Sequence, residues 1–314
     1  MLSIATRVLT PYSEQKNTGN CYEVYVLLQL LRGMGLTNEH HTELKSVIEK
    51  IVAMNAKTSS KIMAIYNSIL SQPVGEGISY KGTKVVDLLN VTQSDGLGRT
   101  GDVILVLEDG QQKSVSVCEG TKNKNGDVEK CITNPTCTRF GCDKSDIDAF
   151  KAIQKEAVTN YKSEMSEKYG SDEAKWPSRI VTKAACNATS SVASITHTRF
   201  NGLATAEKKT IMQDLLRVEA DSKPADLLCI VNKSCTRHLV FDIAGLNPAC
   251  VWEPRMEVKD YWLNMYLGDL LIGKTQVKFN NGVYHKGKTS SLTSSWNATA
   301  CMNRVFDLAP IKVF

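Results

Sequence analysis

At 314 residues, 42% hydrophobic and 23% charged, the chain has the composition of an ordinary globular protein, with room for one large core or a core plus an accessory lobe. No apolar run approaches the roughly 20 residues that a membrane span requires, and Met1 to Gln15 has Arg7 as its one basic residue and no apolar h-region. The expectation is therefore a cytoplasmic protein without a signal peptide, and a net charge of +5 is too weak alone to define a polyanion partner.

Cys21 to Met34 reads as a helix, because Val24, Leu27, Leu28 and Leu31 follow the i, i+3, i+4, i+7 pattern and Gly33 and Gly35 can end it. Glu23 lies beside that apolar face, one turn from Leu27. Leu44, Val47, Ile48 and Ile51 mark a second helix, and Ile62, Ile65 and Ile69 a third. Val103 to Leu107 is an apolar strand with Asp102 at its mouth. Asp109-Gly110 is a turn signal, and Ser114 to Cys118 alternates as the return strand, with Val115 and Val117 on one face. Further on, Ser145-Asp146-Ile147-Asp148 has the form of a capping box opening a helix striped by Phe150, Ile153, Ala157 and Tyr161. A helix over Ala206 to Val218 leads into strands at Leu227 to Val231 and Leu239 to Ile243. This order predicts a mixed α/β core over residues 1–260, followed by a loop- and strand-rich extension over 261–314.

That extension is electrically one-sided. Leu270 to Phe306 contains no Asp or Glu, while Lys274, Lys278, Lys286, Lys288 and Arg304 stand among Asn280, Asn281, His285 and Trp296. Basic residues interleaved with amides and aromatics suit phosphate and base contacts, and the plainer alternative is a solvated surface. The ten cysteines show a single short spacing, Cys137 to Cys142, with Cys131 nearby. Zinc is therefore not expected, and reduced, buried thiols are.

Asp102 opens one strand of the hairpin, and Glu119 and Lys122 close the other. Two acids and a lysine at one end of a hairpin can hold Mg²⁺ against a phosphodiester: carboxylates bind the metal, bound water becomes acidic, and an ammonium stabilises the pentavalent phosphorus. Asp102, Glu119 and Glu23 are the candidate metal ligands, with Lys122 or Lys124 as the cation.

In Asn20-Cys21-Tyr22-Glu23, Gly101-Asp102-Val103-Ile104 and Ser114-Val115-Ser116-Val117-Cys118-Glu119, the chain resembles the PD-(D/E)xK nuclease superfamily, which includes many type II restriction endonucleases. The likeness covers roughly residues 19 to 160. It implies a restriction-endonuclease-like fold, a mixed sheet flanked by helices, and a Mg²⁺-dependent, sequence-specific endonuclease acting as a homodimer on double-stranded DNA. The chain departs from the pattern in its second strand. By alternation the (E/D)-x-K slots fall on Ser116 and Cys118, and Glu119 points to the opposite face unless a bulge turns it. A second, downstream candidate is Asp226 with Asp242 and Ala244, again without the lysine. The alternatives are a non-catalytic nucleic-acid-binding protein on a degenerate nuclease scaffold and a P-loop NTPase. The latter is suggested by two G-x₄-G-K-T matches, Gly268 to Thr275 and Gly282 to Thr289, but opposed by the lack of a helix pattern after either.

Overall fold

The computed structural model describes residues 1–14, 20–90, 102–131, 137–176, 182–217, 225–247, 250–279, 282–285, 288–289 and 292–313. In chain order the first elements are α1 (Leu2–Leu9), α2 (Asn20–Gly33), α3 (His41–Met54), α4 (Ser59–Leu70), β1 (Ile78–Tyr80) and β2 (Thr83–Asn90). There follow β3 (Val103–Leu107), β4 (Gln112–Lys122), β5 (Val128–Cys131), α5 (Lys144–Tyr169), α6 (Lys183–Gly202) and α7 (Thr205–Arg217). The chain continues through β6 (Leu227–Asn232), β7 (His238–Leu246), β8 (Pro254–Lys259), β9 (Trp262–Leu267) and β10 (Leu270–Phe279). It closes with β11 (Tyr284–His285), β12 (Lys288–Thr289), β13 (Leu292–Cys301), α8 (Met302–Val305), β14 (Phe306–Leu308) and β15 (Ile311–Val313). The protein is mixed α/β, and among the described residues no helix is long and apolar enough to cross a membrane.

Two compact units result. The first comprises Met1–Lys130, Asp221–Asn247 and Met302–Phe314, and the second Cys131–Ala220 and Pro248–Cys301. The segment 261–314 contributes to both units.

In the first unit the amphipathic stripe of α2 is buried as its spacing predicts: Val24, Leu27, Leu28 and Leu31 are each 1% exposed or less. Together with residues of α1, α3 and α4 they form one hydrophobic cluster with Leu88, Val103, Leu105, Val115 and Leu227 of the sheet. The end of α2 is fixed by buried Arg32, whose guanidinium donates to the carbonyls of Leu36, Leu70 and Gln72 and so ties α2 to the end of α4. Gly35 takes the left-handed conformation there at φ 102°.

Strands β2, β3 and β4 form an antiparallel meander, with Val103 opposite Val115. β6 then lies parallel to β4 in unbroken register from Val115–Leu227 to Gly120–Asn232, and β7 pairs antiparallel with β6. Because no bulge interrupts that register, strand alternation holds along the whole of this stretch. Val115 and Val117 face the helix-covered cluster, Ser116 and Cys118 the other side, and Glu119 the helix side again. On the far end of β4, β5 pairs antiparallel, placing Lys130 opposite Gly120. Only glycine fits at 120, since a Cβ there would stand 2.2 Å from the Ile230 side chain and 3.0 Å from the Glu129 carbonyl.

The second unit combines α5, α6 and α7 with the antiparallel sheet β13-β10-β9-β8. The capping box at the start of α5 sits two residues earlier than its sequence suggests. Asp143 accepts from the backbone of Ser145 and Asp146, and Asp146 accepts from the backbone of Asp143. Arg199 of α6 bridges both carboxylates, at 3.1 and 2.8 Å, which favours this frame over one begun at Ser145. Neither Gly-rich match is a phosphate loop. Gly268 to Thr275 runs through the turn into β10, and Gly282 to Thr289 spans the β11–β12 hairpin. Neither leads from a strand into a helix, as phosphate binding of that kind requires.

Candidate active site

Glu23 stands in the first turn of α2, where the unpaired backbone N–H groups favour an acid. Tyr12, in the 3₁₀ turn Thr10–Ser13 after α1, is 3% exposed, and its phenol is hydrogen-bonded to the Glu23 carboxylate. Asn90, the last residue of β2, is hydrogen-bonded to the same phenol. Burial pushes Glu23 up to about 7, the negative charge of Asp102 pushes it the same way, and the Tyr12 hydrogen bond opposes both.

Asp102 immediately precedes β3. Its N–H continues the ladder to the Val115 carbonyl at 2.8 Å, and its carboxylate turns back to accept the Val117 N–H at 2.5 Å. The acid is therefore locked against β4, at the point where Cys118 follows. Burial raises the Cys118 thiol above its ordinary range. The charge of Lys130 acts the other way, and Asp102 adds to the rise. The thiol thus feels both a carboxylate and an ammonium. Lys130 is only 3% exposed, so a cation that sequence reasoning placed on β4 is present but arrives from the neighbouring strand. Its sequence, Val128-Glu129-Lys130-Cys131, gives no sign of this, because the signal is a strand pairing and not a spacing.

The other hairpin candidates are placed elsewhere. Glu119 lies on the helix side of β4, where Tyr22 donates its phenolic hydrogen to it at 2.6 Å and Lys61 sits 4.1 Å from the Tyr22 ring centroid. Lys122 and Lys124 are exposed, and Ser116 is half-buried on the Cys118 face. Of the residues singled out from sequence, Glu23, Asp102 and Cys118 are electrostatically coupled, with Tyr12 and Lys130 joining them.

The two downstream acids are held by neighbouring side chains. Asp226 accepts both the N–H and the hydroxyl of Ser114, at 2.8 and 2.9 Å, and returns its own N–H to that hydroxyl at 3.0 Å. Buried Asp242 accepts from Tyr80 at 3.2 Å and pairs with Lys81 at 2.9 Å. Ala244 lies in β7, and its side chain is outside the described residues, as are Asn280, Asn281 and Lys286. Lys274 and Lys278 lie on β10, His285 on β11 and Lys288 on β12, all in the second unit. Lys274 and Lys288 are exposed, and the Lys274 ammonium stands 5.3 Å from the Trp262 ring centroid. Arg304, in the first unit, is held by Asp127 at 2.7 Å.

Among the described residues no group of three or more His, Cys, Asp or Glu is arranged to hold a metal ion. Cys137 and Cys142 instead bracket the buried Thr196 hydroxyl, at 3.2 and 3.8 Å, and burial pushes the Cys142 thiol up to about 12. Mg²⁺ makes a lighter demand than zinc, needing one or two carboxylates, with water and substrate phosphate completing its shell. Glu23 and Asp102 are hard oxygen donors of the kind Mg²⁺ takes, and their charges repel, which adds to the effect of burial on Glu23. No family model matches the chain, and neither a curated protein nor a solved structure matches it.

Proposed function

We propose that the chain is a Mg²⁺-dependent endonuclease of the restriction-endonuclease-like type, hydrolysing phosphodiesters in double-stranded DNA. The observation that carries this reading is that Asp102 acts electrostatically on both Glu23 and Cys118, and that the buried ammonium of Lys130 acts on the same thiol. The topology supports it: a helix bearing an acid precedes an antiparallel meander, and a fourth strand is added parallel to the third.

Bound Mg²⁺ would supply Lewis acidity and an acidic water at Glu23 and Asp102. The chain's own residues provide the rest. Tyr12, hydrogen-bonded to Glu23, orients that carboxyl, and the Val117 N–H fixes Asp102. Lys130 provides positive charge in a water-poor setting, where it counts for more against a developing phosphorane than an exposed lysine would. Lys274, Lys278 and Lys288 are the candidate backbone contacts in the second unit, and a homodimer is what the family likeness implies.

The competing reading is a nucleic-acid-binding protein that has lost catalysis, favoured by a thiol, Cys118, in the slot where the strand would present its lysine. Nicking of supercoiled plasmid with Mg²⁺ separates the two. Cleavage should fall about 10²-fold in Lys130→Met, the scale of removing one preorganised charge, and should return in part when Cys118→Lys is added to that variant. Plasmid binding without nicking by the wild-type chain, at any Mg²⁺ or Mn²⁺ concentration, would establish the binding protein.

A further inference from the structure

A cavity of about 630 Å³ opens in the first unit beside the strand that carries Lys130. It lies off the carboxyl ends of the parallel strands β4 and β6, the end at which open α/β sheets take their ligands. Its volume falls within the range of pockets that enclose small organic molecules. Val128 and Ile230, 6% and 4% exposed, give it an apolar floor. One wall is Tyr25 of α2, whose hydroxyl is 3.1 Å from Nδ1 of His238. The two rings meet edge to face at 5.7 Å between centroids. The rim carries the exposed side chains of Lys122 and Arg237. Neither makes an ion pair among the described residues, whereas Arg7, Lys81, Arg199 and Arg304 are each matched to an acid.

Two unmatched cations over an apolar, aromatic-walled cavity call for an anion with a flat body. We propose that this cavity binds a nucleoside monophosphate unit, with its phosphate between Lys122 and Arg237 and its base against the Tyr25–His238 wall. The choice of a nucleotide over other aryl or heterocyclic phosphates rests on the nuclease reading, while the anion and the planar body come from the cavity. Arg offers a phosphate two parallel N–H donors and Lys a mobile point charge, so the pair can close on a phosphate group from two sides. The base faces the exposed His238 ring, which buried Tyr25 holds from behind, and a ring stacks without reading a sequence, since every base has a π-face.

Calorimetric titration of the full chain with dAMP tests this, with inorganic phosphate and deoxyadenosine as comparators. The expected result is saturable binding of dAMP at least about tenfold tighter than either comparator. It should weaken about tenfold in Lys122→Ala or Arg237→Ala, and further in the double variant, as charge-assisted contacts to phosphate do. Both positions are exposed, so the variants should keep the wild-type circular dichroism spectrum and melting temperature. Competition of dAMP by a single-stranded oligonucleotide would identify the bound unit as part of a strand, and its failure to compete would identify a free nucleotide. Inorganic phosphate binding as tightly as dAMP, or a folded double variant binding dAMP like the wild type, would overturn the proposal. Plasmid nicking without dAMP binding sinks the cavity proposal alone, and dAMP binding without nicking sinks the nuclease reading alone.

Discussion

Two pairs of acids in the first unit have similar sequence credentials and opposite physical situations. Asp226 and Asp242 are saturated: the first is enclosed by Ser114 from backbone and hydroxyl, the second by Tyr80 and Lys81. Glu23 and Asp102 are set against one another, and burial together with that repulsion pushes the Glu23 carboxyl up to about 7. A folded protein tolerates that conflict where something outside the chain resolves it, and perturbed carboxylates in a recess mark functional sites more often than satisfied ones do. The satisfied pair is held by its neighbours, and the conflicting pair is the one on which the proposed chemistry rests.

The contrast can be broken most sharply by removing one acid from each pair. Asp102→Ala should reduce plasmid nicking by roughly 10³-fold, the scale of losing a directly acting group. Asp242→Ala should leave the rate per folded molecule within about threefold while lowering the melting temperature. Equal loss of nicking in both variants, with both folded, would erase the distinction.

The next effect concerns pH. The Glu23 carboxyl holds its proton up to about 7 in the fold, against the ordinary 4.5 of an unfolded chain, so the folded state binds more protons between those values. Stability from this group is fully present below pH 4.5 and is lost as pH rises through 7, a change of roughly 3 kcal/mol. Glu23→Gln should remove that slope and be the more stable protein at pH 8, as urea unfolding at pH 4.5, 6 and 8 can measure. Mg²⁺ at pH 8 should stabilise the wild type and not the variant. An unchanged slope in Glu23→Gln would show that Glu23 is not raised in the fold, by burial or by Asp102.

The smallest effect belongs to the satisfied pair. Asp226→Ala strands the N–H and hydroxyl of Ser114, which is 2% exposed. It should cost about 1–3 kcal/mol, since unmet buried donors carry their full desolvation penalty. A near-neutral result would mean that water replaces the carboxylate and that Asp226 is not the clasp between β4 and β6.

Much of the frame could be read directly. The apolar stripe of α2, the β3–β4 hairpin with its Asp109-Gly110 turn, and the strands after Ala225 follow from periodicity and turn chemistry, because those signals are local. The first turn of α5 was legible in kind but displaced by two residues. Asp143 and Asp146 form the reciprocal cap, and Arg199, more than fifty residues away, favours that frame. α1, α6, β5 and most of the strands after β7 left no clear pattern, being short, or small-residue-rich as α6 is.

The sequence by itself determined Asp102, Glu23 and the alternation that separates Cys118 from Glu119, since each depends on spacing within one helix or strand. The tertiary structure alone decided which acids conflict, that Tyr22 takes Glu119, and that the ammonium acting on Cys118 is that of Lys130. The reason is common to all three. Charge interactions depend on distance and burial, and strand pairing brings β5 onto β4, with Lys130 opposite Gly120, and β6 into parallel register with β4 across more than a hundred residues.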